Sequence, residues 1–308
     1  MRTSPIVLNP SLLDVARRRR SAGESLKAMA VEFGVTWQKL EKAIRNGLRG
    51  KADPIPSART KTALKATQAA SPVLLESRVK ADQDGRSLAL TEKYRPRTLA
   101  GLWGQPKVVV ALQRFAKAPC SAAFLFEGGT GTGKTSAALA LARELGCDVD
   151  ASEYGGVWEI ASGEQSADAV RETGRRMWVH PWQGSGWKVV IVNEADRMCR
   201  PAEVVWLDLL EHLPRKTVVV FTTNDAGRLA ARFCDRCTRL FFRSDAAFMA
   251  TPTRDFLLAV WQAETGKKPD LGKVERMVLD SVQDGQVSVR RALQMLGAAL
   301  LERDGGAS

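Results

Sequence analysis

The run from Gly128 to Thr135 (GGTGTGKT) constrains this 308-residue chain more than any other stretch. It fits the pattern G-x-x-x-x-G-K-[ST], between a predicted buried strand at 122–127 and a predicted helix that opens at Lys134. Glycines let backbone N–H groups converge on phosphate oxygens, and a helix N-terminus adds a favourable dipole. The run therefore predicts a phosphate-binding loop whose members are Gly128, Gly129, Thr130, Gly131, Thr132, Gly133, Lys134 and Thr135.

Two residues of this loop have chemistry beyond backbone donation. Lys134 is expected to reach the β- and γ-phosphates, and the hydroxyl of Thr135 is expected to ligand Mg²⁺. A glycine-rich loop without a ligand is the alternative, and the strand–loop–helix context argues against it. We therefore expect ATP and Mg²⁺ as cofactors.

Polar residues follow two further predicted strands. Asn193 and Glu194 come after the apolar run 189–192, and Asn224 comes after 218–222. In P-loop ATPases the first position is usually an Asp that supports Mg²⁺, followed by a Glu that polarises the attacking water. Asn193 is neutral and is expected to hold Mg²⁺ through a water, Glu194 to act as the base, and Asn224 to orient water. Weaker metal support predicts slow or absent turnover.

Strands and helices alternate after residue 88. Predicted strands lie near Phe124 and at 157–160, 189–192, 218–222 and 240–242, with helical segments between them. This order favours an α/β core of the P-loop type at 88–244, with a parallel sheet covered on both faces. Amphipathic helices at 245–308 predict a helical lid.

Residues 1–50 are expected to form a small helix–turn–helix domain, and the Pro-, Ala- and Ser-containing stretch 51–87 a flexible linker. The first 60 residues carry 12 Lys/Arg and 5 Asp/Glu, a net charge of +7 out of +12 for the chain. Such an excess favours a polyanionic partner, DNA above all. An ordinary helical hairpin with a solvated basic face is the alternative. The predicted DNA contacts are Arg17, Arg18, Arg19, Arg20, Thr36, Gln38, Lys39, Lys42 and Arg45.

The apolar runs are too short to cross a membrane, and the five cysteines form no paired framework. Both features favour the cytoplasm and argue against a membrane partner. Trp178, Trp182 and Trp187 are expected to anchor a long loop against the sheet; stacking on exposed bases is the alternative.

Several motifs resemble those of clamp-loader ATPases of the AAA+ superfamily, the small subunits of replication factor C and the motor subunits of bacterial clamp loaders. Thr91–Pro96 (TEKYRP), followed by Leu102–Gln105 (LWGQ), is similar to the opening signature that folds over adenine in that family. The resemblance implies that Tyr94, Arg95 and Pro96 bind the nucleotide.

Three later motifs carry the same resemblance. The stretch from Glu159 to Arg171 is similar to a segment that places a helix, and here Arg171, towards DNA. Asp235-Arg236-Cys237 is similar to the Ser-Arg-Cys motif, which implies that Arg236 acts in trans on ATP held by a neighbouring subunit. Ser288–Leu293 is similar to the lid motif, which implies that Arg290 touches the γ-phosphate in cis. An oligomer assembled through the ATP site follows from this.

The chain departs from the family at several points. Asn193 replaces Asp, Asp235 replaces Ser, and Leu207-Asp208 stand where two arginines are frequent. The sequence stops just after the lid, where the family usually continues into a helical collar. Three functions remain open: a DNA-acting ATPase with a clamp or helicase cargo, an ATP-switched DNA-binding regulator with little turnover, and a helicase-loader-like protein.

Overall fold

The computed structural model describes residues 89–151 and 155–304. The predicted helix–turn–helix module at 1–50 and the linker at 51–87 lie outside these described residues. The same holds for the N-terminal DNA contacts predicted at Arg17, Arg18, Arg19, Arg20, Thr36, Gln38, Lys39, Lys42 and Arg45.

Helices and strands alternate through the first part of the described chain. The strands are β1 (Ala122–Gly128), β2 (Val157–Ile160), β3 (Lys188–Val192), β4 (Thr217–Thr223), β5 (Thr238–Phe242), β6 (Val282–Gln283) and β7 (Gln286–Val287). The helices are α1 (Leu90–Lys93), α2 (Pro106–Lys117), α3 (Lys134–Glu144), α4 (Ala167–Met177), α5 (Arg200–Glu211), α6 (Ala231–Cys234), α7 (Ala246–Thr265), α8 (Leu271–Asp280) and α9 (Val289–Asp304). Short 3₁₀ turns occupy Leu99–Gly101, Ala195–Arg197 and Ala226–Arg228.

Five strands form one parallel sheet in the order β2-β3-β4-β1-β5. Strands β3 and β4 are buried along their whole length, as expected for their apolar runs at 189–192 and 218–221. Because all five strands run in the same direction, their carboxyl ends meet at one edge. The sheet confirms the predicted α/β class, and this edge carries the phosphate loop, Asn193 and Asn224.

Alternate residues of each strand enter two separate cores. Phe124, Phe126 and Ile191 pack with α2 and α3 on one face. Leu125 and Val192 pack on the opposite face, in a cluster that also contains Trp206 of α5. Helix α3 approaches the sheet closely because its fully buried side chains include several alanines. The first turn of α3 is thereby held against the strand ends.

The C-terminal helices α7, α8 and α9 share a third core, to which Tyr94 also belongs. Trp103 packs on Phe256 of α7 with ring centroids 5.0 Å apart. The strands β6 and β7 were not expected here; they form a small hairpin. The turn Asp284-Gly285 has φ values of 50° and 73°, and Asp-Gly is a strong signal for a tight hairpin turn.

The tryptophan-rich loop before β3 differs from its prediction. Trp187 packs against the core, but Trp178 and Trp182 are 67 % and 88 % exposed, so the anchoring prediction is wrong for these two. Polar contacts hold the loop instead: Ser185 Oγ donates to the Leu145 carbonyl at 2.5 Å. Lys216 Nζ donates to the Ser185 carbonyl at 3.1 Å.

Within the described ranges, none of the helices combines the length and the apolar character that crossing a bilayer requires.

Candidate nucleotide site

The phosphate loop closes the carboxyl end of β1 and leads into α3. Gly133 has φ 93°, a left-handed conformation that favours glycine, and it is the N-cap of α3. A Cβ on Gly131 would lie 2.4 Å from Ser288 Oγ and 3.1 Å from Arg290 Cβ. This crowding against the lid and a left-handed φ of 76° together favour glycine at 131. Thr132 stabilises the turn by donating to the Gly129 carbonyl at 2.8 Å.

Lys134 lies inside the loop and has three acceptors. Its Nζ donates to the carbonyls of Gly128 and Gly129 at 2.7 and 2.8 Å and to Asn224 Oδ1 at 2.8 Å. Burial, and to a smaller extent the nearby Arg290, lower the pKa of this ammonium group to about 8. The carboxylates of Asp196 and Glu194 oppose that shift. The carbonyls of Gly128 and Gly129 and the amide of Asn224 thus hold the Lys134 ammonium group in the loop, and phosphate oxygens would replace these acceptors.

Thr135 and Asn193 face each other across the start of α3 and the end of β3. Thr135 Oγ1 donates to Asn193 Oδ1 at 2.9 Å, and Thr222 Oγ1 donates to the same oxygen at 3.4 Å. Hydroxyl and amide oxygens are hard donors of the kind Mg²⁺ accepts beside nucleotide phosphates. The described residues contain no cluster of three or more His, Cys, Asp or Glu suited to a metal. The donor set fits Mg²⁺ held largely by phosphates and water, with Thr135 and Asn193 beside it.

Glu194 follows Asn193 with a left-handed backbone, at φ 53°. Its N–H donates to Thr222 Oγ1 at 3.1 Å, which secures the turn to β4. The carboxylate forms an ion pair with Arg197, with Oε2 and Nε 3.2 Å apart. This conformation turns the chain sharply after β3 and keeps Glu194 at the strand-end edge, within electrostatic range of Lys134.

Asp196 contributes to the site, although its sequence pattern predicts no role for it. Its Oδ1 accepts from Thr223 Oγ1 at 2.9 Å and from the Asn224 backbone N–H at 3.4 Å. Asp196 therefore ties the end of β4 to the turn after β3 and positions Asn224. The sequence feature that could have indicated this role is an acidic residue three positions after Asn193, close to the end of β3.

A cavity of about 250 Å³ lies between the α1 segment, the phosphate loop and the lid. Tyr94, Arg95 and Pro96 all line it, together with Gly131, Thr132, Gly133 and Arg290. Tyr94 is itself anchored: its hydroxyl donates to Glu264 Oε1 at 2.5 Å, and burial next to this carboxylate raises its pKa. Arg95 Nη1 donates to Glu92 Oε2 of the same segment at 3.2 Å. The structure thus brings the predicted adenine-side residues, the loop and Arg290 around one cavity.

Parts of the chain are similar in sequence to known proteins. Residues 104–246 match the family described as DNA polymerase III, delta subunit. The replication factor C small subunit of Methanoculleus marisnigri is 30 % identical over 230 residues, which are 72 % of this chain and 66 % of that protein. Replication factor C subunit 3 of Saccharomyces cerevisiae is 32 % identical over 165 residues, 51 % of this chain and 46 % of its own length. The chain belongs to the clamp-loader branch of the AAA+ proteins.

The chain spans between about half and two thirds of the length of these curated relatives. Among solved structures, the Holliday junction branch migration motor RuvB of Thermotoga maritima superimposes with a TM-score of 0.52 at 15 % identity. That match covers 68 % of this chain and 65 % of RuvB. At such identity it supports the AAA+ fold alone.

Arg236, which the resemblance predicts to act on a neighbouring subunit, lies apart from the cavity. Arg236 lies between α6 and β5, forms an ion pair with Glu211 at the end of α5, and donates to the Arg232 carbonyl at 3.0 Å. The hydrogen bond from Arg236 lowers the pKa of the Glu211 carboxyl. Among the residues that the structure describes, its polar contacts are thus with α5 and α6 and not with the phosphate loop of the same chain.

Arg171, the one predicted DNA contact within the described residues, lies on the exposed face of α4. It pairs with Asp168, with Nη1 and Oδ1 2.6 Å apart. Arg175 and Arg176 both lie near Glu172, at 3.1 and 3.5 Å. Exposed pairs of this kind contribute little to stability and open at little cost.

Proposed function

We propose that this clamp-loader-type chain binds ATP with Mg²⁺, hydrolyses it, and acts on DNA. One observation carries the proposal: the strand ends bring Lys134, Asn224, Thr135 and Asn193 together at the mouth of the phosphate loop, with hydrogen bonds of 2.8 and 2.9 Å between them. A loop that serves only as a turn has no need of this convergence. The name of the relatives, replication factor C, supports a task in DNA replication.

The residues of the chain divide the work of phosphoryl transfer. Lys134 exchanges its carbonyl and amide partners for β- and γ-phosphate oxygens, Arg290 approaches from the lid, and Tyr94, Arg95 and Pro96 border the adenine. Glu194 accepts a proton from the attacking water, which Asn224 helps to orient. Bound Mg²⁺, beside Thr135 and the water-linked Asn193, would neutralise charge on the phosphates.

Arg236 is proposed to serve a neighbouring subunit. Its side chain is exposed, so a second chain can approach it, and an arginine there can stabilise charge on a bound triphosphate. The ATP site would then lie at a subunit interface in a homo- or hetero-oligomer. DNA, and a clamp or a helicase as cargo, are the proposed partners, with Arg171 and the N-terminal basic segment as DNA contacts.

A second candidate is an ATP-switched DNA-binding regulator with little turnover. The neutral pair formed by Thr135 and Asn193 favours it, because the position that usually carries a carboxylate has an amide. Weaker metal support slows phosphoryl transfer more than it weakens nucleotide binding. Both candidates share the same fold and the same site.

Mass and steady-state ATP hydrolysis of the purified chain, measured together, test the proposal. They are recorded without DNA and with duplex, primed and single-stranded DNA, and Lys134→Ala is the control. The proposal expects turnover that depends on Lys134 and responds to DNA. ATP binding without turnover under all conditions would favour the ATP-switched regulator over the ATPase. No nucleotide binding at all would refute both candidates.

A further inference from the structure

Glu159 lies beside the metal site although its sequence position gives no sign of this. It is the third residue of the edge strand β2, and its Oε2 accepts a hydrogen bond from Asn193 Nδ2 at 3.3 Å. The register explains the contact: Glu159 pairs with Ile191 of β3, and Asn193 comes two residues later. The Asn193 N–H donates to the Ile160 carbonyl at 3.0 Å, which continues the pairing past the end of β3.

This contact determines which way the amide of Asn193 faces. A carboxylate can only accept, so Glu159 attracts the NH₂ group and leaves Oδ1 directed to Thr135 and Thr222. The opposite orientation would direct two N–H donors towards a cation. Glu159 thus keeps the amide in the orientation that a metal-bound water or Mg²⁺ can use.

The same carboxylate brings negative charge to a site where an amide, Asn193, stands in the position that usually carries a carboxylate. A chain of two contacts, 3.3 and 2.9 Å long, links Glu159 through Asn193 to Thr135. Glu159 is exposed, and it borders a cavity of about 480 Å³ that Glu164 and Glu172 also line. Within the described ranges, the polar side chain that contacts Glu159 is Asn193.

We propose that Glu159 is a positioning residue of the magnesium site and supplies, from β2, the negative charge that Asn193 lacks on β3. The inference rests on the proposed function, since it presupposes Mg²⁺–ATP in the phosphate loop. Glu159 acts through the amide of Asn193 and through the field at the metal, not as a direct ligand. Partners that orient metal-site groups in this way commonly change metal affinity by about 10–100-fold when removed.

The test is the Mg²⁺ concentration that gives half-maximal binding of a slowly hydrolysed ATP analogue, so turnover does not enter. Five forms of the full chain are compared: wild type, Glu159→Gln, Asn193→Asp, the double variant, and Glu164→Gln. The last is the matched control, because it neutralises a carboxylate in the same cavity. Thermal unfolding without nucleotide establishes that each variant is folded.

Glu159→Gln should raise the Mg²⁺ requirement about tenfold, and Glu164→Gln should leave it unchanged. In the Asn193→Asp background, Glu159→Gln should have the opposite effect on the Mg²⁺ requirement. Two carboxylates would then stand next to each other and repel, so removing Glu159 should lower the Mg²⁺ requirement. The double variant, which moves the charge back to β3, should return close to wild type.

Three results would overturn the proposed role of Glu159. The first is that Glu159→Gln raises the Mg²⁺ requirement equally in both backgrounds, and the second is that Glu164→Gln raises it as well. The third is that Glu159→Gln is folded and its Mg²⁺ requirement is unchanged. In all these cases wild type still binds Mg²⁺–ATP, and the proposed function stands. Failure of wild type to bind the analogue at any Mg²⁺ concentration would instead refute the proposed function itself.

Discussion

Lys134 Nζ lies 2.8 Å from Oδ1 of Asn224, a residue 90 positions later in the chain. The contact joins the phosphate loop after β1 to the end of the neighbouring strand β4, and it exists because the two strands are adjacent and parallel. Asn224 is held in turn by Asp196. A nucleotide that binds Lys134 therefore has to break a contact that links the phosphate loop, the end of β4 and the turn after β3. The protonation state of Lys134 affects all three segments.

ATP affinity should depend on pH through Lys134. Burial gives this ammonium group a pKa of about 8, and bound phosphates would raise it. Below pH 8 the group is already charged, so affinity should be level; above pH 8 binding takes up a proton, and affinity should fall by up to about tenfold per pH unit. Calorimetry at pH 9 in two buffers of different ionisation enthalpy measures that proton.

The control for this prediction is Lys134→Arg, because a guanidinium stays charged throughout the range. Whatever affinity the variant retains should not change between pH 7 and 9.5. Binding by wild type without proton uptake at pH 9 would contradict the assignment of the titrating group to Lys134.

Arg236 should act on a neighbouring subunit. A mixture of Arg236→Ala and Lys134→Ala chains, each inactive by itself, should regain part of the ATP hydrolysis, because some interfaces combine an intact loop with an intact arginine. An arginine finger contributes roughly 10³–10⁵ in rate, so a minority of such interfaces is measurable.

Assembly of the mixture has to be shown by its mass. If mixed oligomers form and hydrolysis stays absent, Arg236 has a structural role, for which its ion pair with Glu211 would be the reason.

Much of the fold followed from the sequence because local signals coincide with the global arrangement. The apolar runs of β3 and β4 predict strands, and the glycine-rich loop that leads to Lys134 predicts the turn into α3. Because the strands are parallel, the polar residues that follow their carboxyl ends then have to lie close together. The hairpin of β6 and β7 was missed because its strands have two residues each, too short for a periodic pattern.

The rest of the site depends on contacts between residues far apart in sequence. The contact of Glu159 with Asn193 needs the register of β2 on β3, and the bond from Tyr94 to Glu264 joins residues 170 positions apart. Asp196 acts only because β4 ends beside it. Composition and spacing contain no trace of such pairings, and the exposure of Trp182 likewise depends on how its loop packs.

Tyr94→Phe should loosen the attachment of the α1 segment to the lid. The ring would still fill the core, but Glu264 would lose one donor and keep Lys93, whose Nζ lies 2.8 Å away. Hydrogen bonds to charged groups contribute about 1.5–3 kcal/mol, so we expect a loss of unfolding free energy in that range by urea denaturation. Arg95→Ala is the comparison and should have a small effect, since Arg95 forms an exposed pair with Glu92. An unchanged midpoint for Tyr94→Phe would show that its hydroxyl does not hold the segment.

Deletion of residues 1–50 should weaken duplex binding and flatten its dependence on salt, because fewer phosphate contacts release fewer counterions. ATP affinity should barely change, since the phosphate loop at 128–135 and the residues that line the cavity lie outside the deleted segment. Binding isotherms across a salt series measure the slope. Arg171→Ala in the full chain is the companion variant. An unaltered slope after the deletion, with a reduced one for Arg171→Ala, would place the DNA site on the ATPase core.

Glu194→Gln should abolish hydrolysis while ATP binding persists. The amide keeps the size of the side chain but cannot take the proton from the attacking water. Arg197 pairs with Glu194 at 3.2 Å, so part of any change could come from that ion pair; Arg197→Ala removes the pair and keeps the carboxylate. Hydrolysis should survive in Arg197→Ala and vanish in Glu194→Gln, measured as single-turnover phosphate release beside nucleotide affinity.

Equal, measurable hydrolysis by wild type and Glu194→Gln would exclude Glu194 as the base. Equally absent hydrolysis with retained affinity would mean that the chain works as an ATP-dependent switch, the outcome that the neutral Asn193 already favours.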